Sequence, residues 1–133
     1  MSFKVGDKVS ESVTITEKMV EQFAELSGDY NPVHMDEAYA KTTRFGRRIA
    51  HGMISAALIS RVLAMKLGPG GIYLSQTMKF LNPVFIGDVL SIELTVIALR
   101  EEKGIGTVET LVKKANGDVC VKGEAVIMRS GIV

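Results

Sequence analysis

The sequence contains a single cysteine, carries a net charge of only +1, and has no apolar run long enough to cross a membrane. Cys120 cannot form an internal disulfide, which favours a reducing cytosol, and no histidine or cysteine lies at a spacing typical of metal sites. Basic and acidic residues are mixed along the chain, which argues against a nucleic-acid partner. The most apolar segment, 49–67, is interrupted by a histidine, an arginine and a lysine, and residues 1–7 do not resemble a signal peptide. We therefore expect a cytoplasmic protein with no membrane partner.

The chain has 133 residues, of which 47% are apolar and 23% are charged. This length suits one domain with a modest core, and the composition is that of an ordinary globular protein. The sequence shows no internal repeat and no segment of low complexity. We predict a single domain over residues 1–133.

Hydrophobic periodicity predicts a short helix over residues 17–26 and one or two helical turns over 36–41. A longer helix is predicted to begin near His51 and to end before Gly68. It is apolar on nearly every face as far as Leu58, which indicates burial inside the protein. The expected cap and stop residues of the two shorter helices are Thr16, Gly28 and Asp36.

Segments rich in β-branched residues predict five strands. The predicted strands are 8–13, 72–80, 89–100, 105–114 and 119–129. Turn signals separate the last four, Asn116-Gly117 being the strongest, and they favour an antiparallel meander. The economical packing is an α+β fold in which the sheet curls around the long helix. Long apolar strands on so short a chain also predict a homodimer that covers sheet edges or faces.

A short polar motif lies between the first two predicted helices. Asp29 and His34 flank Asn31-Pro32. In an extended chain the two side chains would be about 16 Å apart, whereas Asn before Pro favours a turn that brings residues three apart to within about 7 Å. A carboxylate and an imidazole that meet can hold one water molecule and move its proton. The alternative is that Asp29 ends the helix with an Asx-turn and His34 lies in a solvated loop.

The segment containing this motif, FAELSGDYNPVHMD at 23–36, resembles the signature of MaoC-like (R)-specific enoyl-CoA hydratases. Two further blocks, IAHGM at 49–53 and FLNPVFIGDVL at 80–90, resemble the same family in the same order. The resemblance implies a hot-dog fold, a dimer with active sites near the subunit interface, and no metal or redox cofactor. It implies reversible hydration of trans-2-enoyl-CoA to (R)-3-hydroxyacyl-CoA. Arg48 departs from the family, where proline is frequent; it either removes a stiff element or faces the substrate's phosphates.

The resemblance also implies roles for individual residues. Asp29 is the expected general base, while His34 orients the water and passes a proton to the α-carbon. Asn31 supports them by fixing the turn. Gly52, near the start of the buried helix, offers its N–H to the enolate oxygen, with tight packing as the alternative reason for a glycine. His51 is expected to make a structural cap or an interface hydrogen bond, with a substrate contact as the alternative.

The acyl chain is expected to lie along the buried helix, although core packing is an alternative for each lining candidate. These candidates are Met53, Ala56, Ala57, Ser60 and Leu63. The cations that either meet CoA phosphates or form a solvated basic face are Arg44, Arg47, Arg48 and Lys79. The nearest alternative function is a 3-hydroxyacyl dehydratase acting on an acyl-carrier-protein thioester. A hot-dog thioesterase and a non-enzymatic module that binds acyl thioesters are less favoured.

Overall fold

The structure, a computed structural model, describes residues 3–129. Its strands are β1 (Lys8–Thr14), β2 (Ile72–Phe80), β3 (Val89–Arg100), β4 (Ile105–Lys114) and β5 (Val119–Met128). Its α-helices are α1 (Glu17–Ser27), α2 (Pro32–Met35), α3 (Glu37–Lys41) and α4 (Gly52–Val62). The two ends of the predicted domain, residues 1–2 and 130–133, lie outside the described residues.

Local hydrogen bonds set the ends of the short helices. The Thr16 hydroxyl accepts the N–H of the residue three positions later and starts α1. Gly28 ends α1 in the left-handed conformation, with φ of 78°, and donates to the carbonyl of Ala24. Asp36 starts α3 by accepting the N–H of Tyr39 at 3.1 Å. The two shorter predicted helices and their caps are thereby confirmed.

The five strands form one antiparallel sheet in the order β1-β3-β4-β5-β2. The hairpin predicted at Asn116-Gly117 joins β4 to β5 and is confirmed. The predicted meander is wrong for β2, which pairs with β5 instead of β3. The connection 81–88 leaves the sheet, because the Val84 carbonyl accepts from Ala50 and Phe85 pairs with Ile49. Its turn signals therefore belong to a loop that lies beside the start of α4.

The sheet wraps one side of α4. The predicted burial of this helix on nearly every face as far as Leu58 is wrong, because Gly52, Met53 and Ala57 are exposed. The buried side chains Ile54, Leu58, Ile59 and Val62 belong to the same apolar cluster as the inward-facing residues of β3 and β4. The helix is α-helical only to Val62, and a π-helical segment, Leu63–Leu67, follows it. Residues on the other side of α4 are exposed, Met53 to 53%. Within residues 3–129, no helix combines the length and the apolarity that crossing a membrane requires.

Candidate active site

The loop between α1 and α2 brings an acid and an imidazole together. Asp29 Oδ1 accepts the backbone N–H of Asn31 at 3.1 Å, and Asn31 Oδ1 accepts that of Val33 at 3.2 Å. Pro32 occupies the first turn of α2, where its missing N–H costs nothing. The predicted turn is therefore a single helical turn capped by Asn31. As a result, a carboxylate oxygen of Asp29 and a ring nitrogen of His34 lie within 4.8 Å of each other.

The separation of these two atoms suits one bridging water. Hydrogen bonds of about 2.8 Å from a water to each atom span a gap of this size. The Asx-turn considered from the sequence is also present, but it occupies only Oδ1 of Asp29. Within residues 3–129, the side-chain hydrogen bond accepted by Asp29 is the one at Oδ1, and no residue donates to Oδ2. Asp29 thus makes the turn and still offers a carboxylate oxygen to solvent.

The His34 ring is held in one orientation. It is 9% exposed, and Nδ1 lies 2.8 Å from the carbonyl of Ile49. A carbonyl only accepts, so Nδ1 carries the proton and Nε2 of the neutral ring has a lone pair. Burial lowers the pKa of His34 below its ordinary value, and the charge of His51 lowers it further. The Ile49 hydrogen bond and the Asp29 carboxylate act in the opposite direction.

His51 contacts both Asp29 and His34. It is 3% exposed, and Nε2 donates to the backbone carbonyl of Asp29 at 2.9 Å. Asp29, His34 and His51 are residue types that bind metals, and one candidate ligand atom from each lies within 4.8 Å of the others. In both rings, however, one nitrogen already donates to a carbonyl and is not free to bind a cation. The absence of a metal stays a prediction.

A cavity of about 430 Å³ opens between α4, the 81–88 loop and the ends of β2 and β5. His34, Gly52 and Met53 are among the residues that line it, whereas Asp29 is not. His34 therefore lies between the exposed Asp29 carboxylate and the cavity. The remaining lining residues are Arg44, Phe45, Ile49, Ala50, Ser55, Phe80, Leu81, Asn82, Pro83, Val84, Cys120 and Val121. Burial raises the pKa of the Cys120 thiol, which keeps it protonated and unreactive.

Gly52 is the first residue of α4, so its N–H has no carbonyl one turn earlier in the helix. The ring of Phe80 covers the position of a side chain here, because a Cβ on Gly52 would lie 2.7 Å from Phe80 Cε1. Neither Phe80 nor Ser55 was predicted as a site residue. Two signals were available: Phe80 opens a family block, and Ser55 lies three residues after Gly52, on the same helix face.

The other predicted acyl-chain residues lie outside this cavity. Ser60 and Leu63 line a second cavity of about 60 Å³ farther along the helix, together with Tyr73 and Ile127. Ala57 is exposed on α4 and lines neither space. Of the predicted acyl-chain residues, Met53 shares a cavity with His34, whereas Ala56, like Ala57, lines neither cavity.

Arg48, one of the predicted substrate contacts, is engaged with other protein groups and does not line the cavity of about 430 Å³. Its Nε donates to the His34 carbonyl at 2.6 Å and its Nη1 pairs with Glu17 at 2.7 Å, leaving the side chain 12% exposed. A guanidinium occupied in this way braces α2 against α1 and has little capacity left for phosphate. Arg47 lies over the ring of Phe85, 4.0 Å from its centroid. Among the predicted cations, only Arg44 lines the cavity of about 430 Å³.

Comparison with known proteins agrees with these features. The model of the family described as "MaoC like domain" matches residues 3–117. An (R)-specific enoyl-CoA hydratase of Aeromonas caviae is 46% identical over 95% of this chain and 95% of that protein. An enzyme of the same description from Rhodospirillum rubrum is 48% identical over 94% of this chain and 87% of that protein. The solved structure of an (R)-hydratase from A. caviae involved in PHA biosynthesis has a TM-score of 0.93 at 45% identity, covering 96% of this chain and 98% of that chain.

Proposed function

Because this chain belongs to the MaoC-like domain family, we propose that it is an (R)-specific enoyl-CoA hydratase with the hot-dog fold. It adds water reversibly to trans-2-enoyl-CoA and forms (R)-3-hydroxyacyl-CoA. The observation that supports this chemistry most directly is the Asp29 carboxylate within 4.8 Å of a His34 ring nitrogen, beside a largely apolar cavity. A thioesterase would direct such a water at the carbonyl carbon instead of C3, and the relatives that are 46% and 48% identical are named hydratases.

Hydration first requires that water become a better nucleophile. One water between Asp29 and Nε2 of His34 gives up a proton as its oxygen bonds to C3, and the C2=C3 electron pair moves toward the thioester. We assign Asp29 as the base. Asp29 takes this proton from the water. Because Nδ1 of His34 already donates to Ile49, Nε2 is the nitrogen that receives the proton from Asp29 and delivers it to C2 on the same face. One proton leaves the water and one proton reaches C2, so Asp29 and His34 return to their starting protonation states.

The reaction also places negative charge on the thioester oxygen. The Gly52 N–H, unpaired within its helix and at the positive end of α4, is the donor that we assign to this enolate oxygen. Glycine permits close approach of the substrate to the backbone. With Phe80, Met53 and Ser55 on the cavity wall, the acyl group lies against apolar surface next to this donor.

The function is tested with crotonyl-CoA by following the loss of absorbance of the conjugated thioester. Turnover to the (R)-3-hydroxy product, without release of free thiol, is the expected result. Thiol release would indicate a thioesterase instead. Failure with every enoyl-CoA, together with turnover of the carrier-protein thioester, would indicate the dehydratase. No turnover with either carrier would leave a binding module.

The lowered pKa of His34 predicts the pH profile. The neutral ring is the competent form, so kcat/KM rises with pH and reaches its plateau through a pKa below the ordinary value of 6.5. The stability of the fold changes with pH in the same direction. Below pH 6.5 the unfolded chain binds a proton at this histidine more readily than the folded chain does, so the free energy of unfolding falls as the pH falls. Initial rates and urea denaturation across pH 5–8 measure both changes. An acid limb centred above 6.5 would contradict the buried, neutral ring.

Arg44 and Arg48 give a matched pair of arginines. Arg44→Gln is expected to raise KM for crotonyl-CoA about tenfold, because a cation at the cavity wall binds a phosphate of CoA. Arg48→Gln is expected to leave KM unchanged and to lower stability by about 1–2 kcal/mol, because its bonds are to His34 and to an exposed Glu17. Crotonyl-pantetheine, which lacks the nucleotide phosphates, is the control substrate. A KM effect of Arg44→Gln that persists with it would contradict the phosphate contact.

We further propose that two chains associate. Strand β2 is the outermost strand at one end of the sheet, and large apolar side chains on or next to it are exposed. They include Leu74 at 44%, Phe80 at 55% and Leu81 at 52%, near the exposed Met53 of α4. An unpaired edge of this composition favours a second copy. Light scattering at micromolar concentration is expected to give the mass of a dimer; the mass of one chain would reject it. A cytoplasmic location stays a prediction.

A further inference from the structure

His51 has no task in the chemistry proposed above, although it is among the most buried polar residues near the site. It is 3% exposed and occupies the N-cap position of α4. Its side chain makes no capping hydrogen bond to the helix. The ring turns instead toward the loop that carries Asp29, in a different part of the sequence.

The ring has two contacts with the catalytic pair. Nε2 donates to the backbone carbonyl of Asp29 at 2.9 Å, which ties the exposed loop to the start of α4. One face of the ring lies against His34, with centroids 4.0 Å apart, and Phe23 lies 4.9 Å away. The Ile49 carbonyl holds His34 in the plane of its ring, and His51 supports its face.

An imidazole at this position has a disadvantage that an apolar ring would not have. Within the described residues, Nδ1 of His51 is the single buried side-chain nitrogen or oxygen without a hydrogen-bond partner. Leaving such an atom unpaired is unfavourable, and phenylalanine would fill similar space without it. The property that phenylalanine lacks is the Nε2–H donor, which is the atom that reaches Asp29.

We propose that His51 is a positioning residue, whose Nε2–H fixes the Asp29 backbone relative to His34, so that this one hydrogen bond sets the gap in which the water is held. This inference rests on the hydratase function proposed above. Misplacing a reacting group by about 1 Å costs about 10²-fold in rate, so a residue that fixes this gap affects kcat more than KM.

Two substitutions separate the contacts of His51. His51→Phe keeps an aromatic face against His34 but has no donor for the Asp29 carbonyl. His51→Gln loses the ring but carries an amide N–H at about the distance of Nε2. We expect His51→Phe to lower kcat for crotonyl-CoA by about 10- to 100-fold with KM nearly unchanged, and His51→Gln to recover most of that loss. Thermal denaturation verifies that each variant is folded. If His51→Phe does not fold, His51→Asn, whose amide is too short to reach Asp29, takes its place as the variant without a donor.

The outcomes distinguish this inference from the proposed function. A wild-type enzyme without hydratase activity refutes the proposed function itself. An active wild type with full kcat in His51→Phe refutes only the positioning role. Equal losses of kcat in His51→Phe and His51→Gln, or a change confined to KM, also refute it, because the donor to Asp29 would then not be the contact that matters.

Discussion

Replacing Asp29 with asparagine is expected to lower kcat for crotonyl-CoA by about 10²- to 10⁴-fold, the usual contribution of a positioned acid–base group. The substitution removes the charge of the carboxylate but keeps an oxygen where Oδ1 accepts the Asn31 N–H. The loop conformation should therefore survive, and the loss reflects chemistry instead of folding. Initial rates at saturating substrate measure it, with circular dichroism to verify the fold.

Asp36→Asn is the matched control for this experiment. The same substitution can be made at Asp36, seven residues later. Its carboxylate accepts the Tyr39 N–H and caps α3. Asparagine is about as good an N-cap as aspartate, so activity should stay within about twofold of wild type. Equal effects of Asp29→Asn and Asp36→Asn would show that Asp29 is a structural residue of the loop and would remove it from the mechanism.

The second large effect is expected at Gly52, where two substitutions separate the N–H from the missing side chain. Gly52→Pro deletes the N–H, at the first position of α4, where helices tolerate proline. The preceding residue, His51, already has ψ of 131°, which suits a residue before proline. Gly52→Ala keeps the N–H. Both variants add a Cβ that would meet the Phe80 ring at 2.7 Å, so the displacement of Phe80 is common to them.

We expect kcat of Gly52→Pro to be about 10²-fold or more below that of Gly52→Ala, because one oxyanion donor contributes about that much. Both variants should be slower than wild type because the Phe80 ring must move. Equal activity of the two variants at normal stability would assign Gly52 to packing, the alternative considered from the sequence. Measurement of kcat and KM for each variant separates a lost transition-state contact from weaker substrate binding.

The parts of this structure that follow from neighbouring residues were predictable. Thr16, Gly28 and Asp36 act within one helical turn, and each was identified as a cap from its residue type and place. The approach of Asp29 and His34 is local in the same way, because Asn31-Pro32 starts a helical turn between them. In each case the interaction closes over a few residues, so the local sequence determines it largely by itself.

The placement of Arg48 and Phe80 could not be obtained in this way. The sequence leaves open whether Arg48 faces phosphate, because its partner Glu17 lies 31 residues earlier. Phe80 covers Gly52 because β2 pairs with β5 and the following loop returns to α4. The hairpin signals near residues 82–88 are consistent with more than one strand pairing, and only packing of the whole core selects among them.

The sequence by itself determined the family, the strands and helices, the wrapped sheet, and the acid and imidazole facing each other across one turn. Only the tertiary structure decided the strand order, the tautomer of His34, the contacts of Arg48 and the contact between His51 and Asp29. The physical reason is distance along the chain. Interactions within a turn depend on backbone geometry that a few side chains dictate, whereas the Asp29–His51 bond joins residues 22 apart and forms only once the core has placed α4 beside the loop.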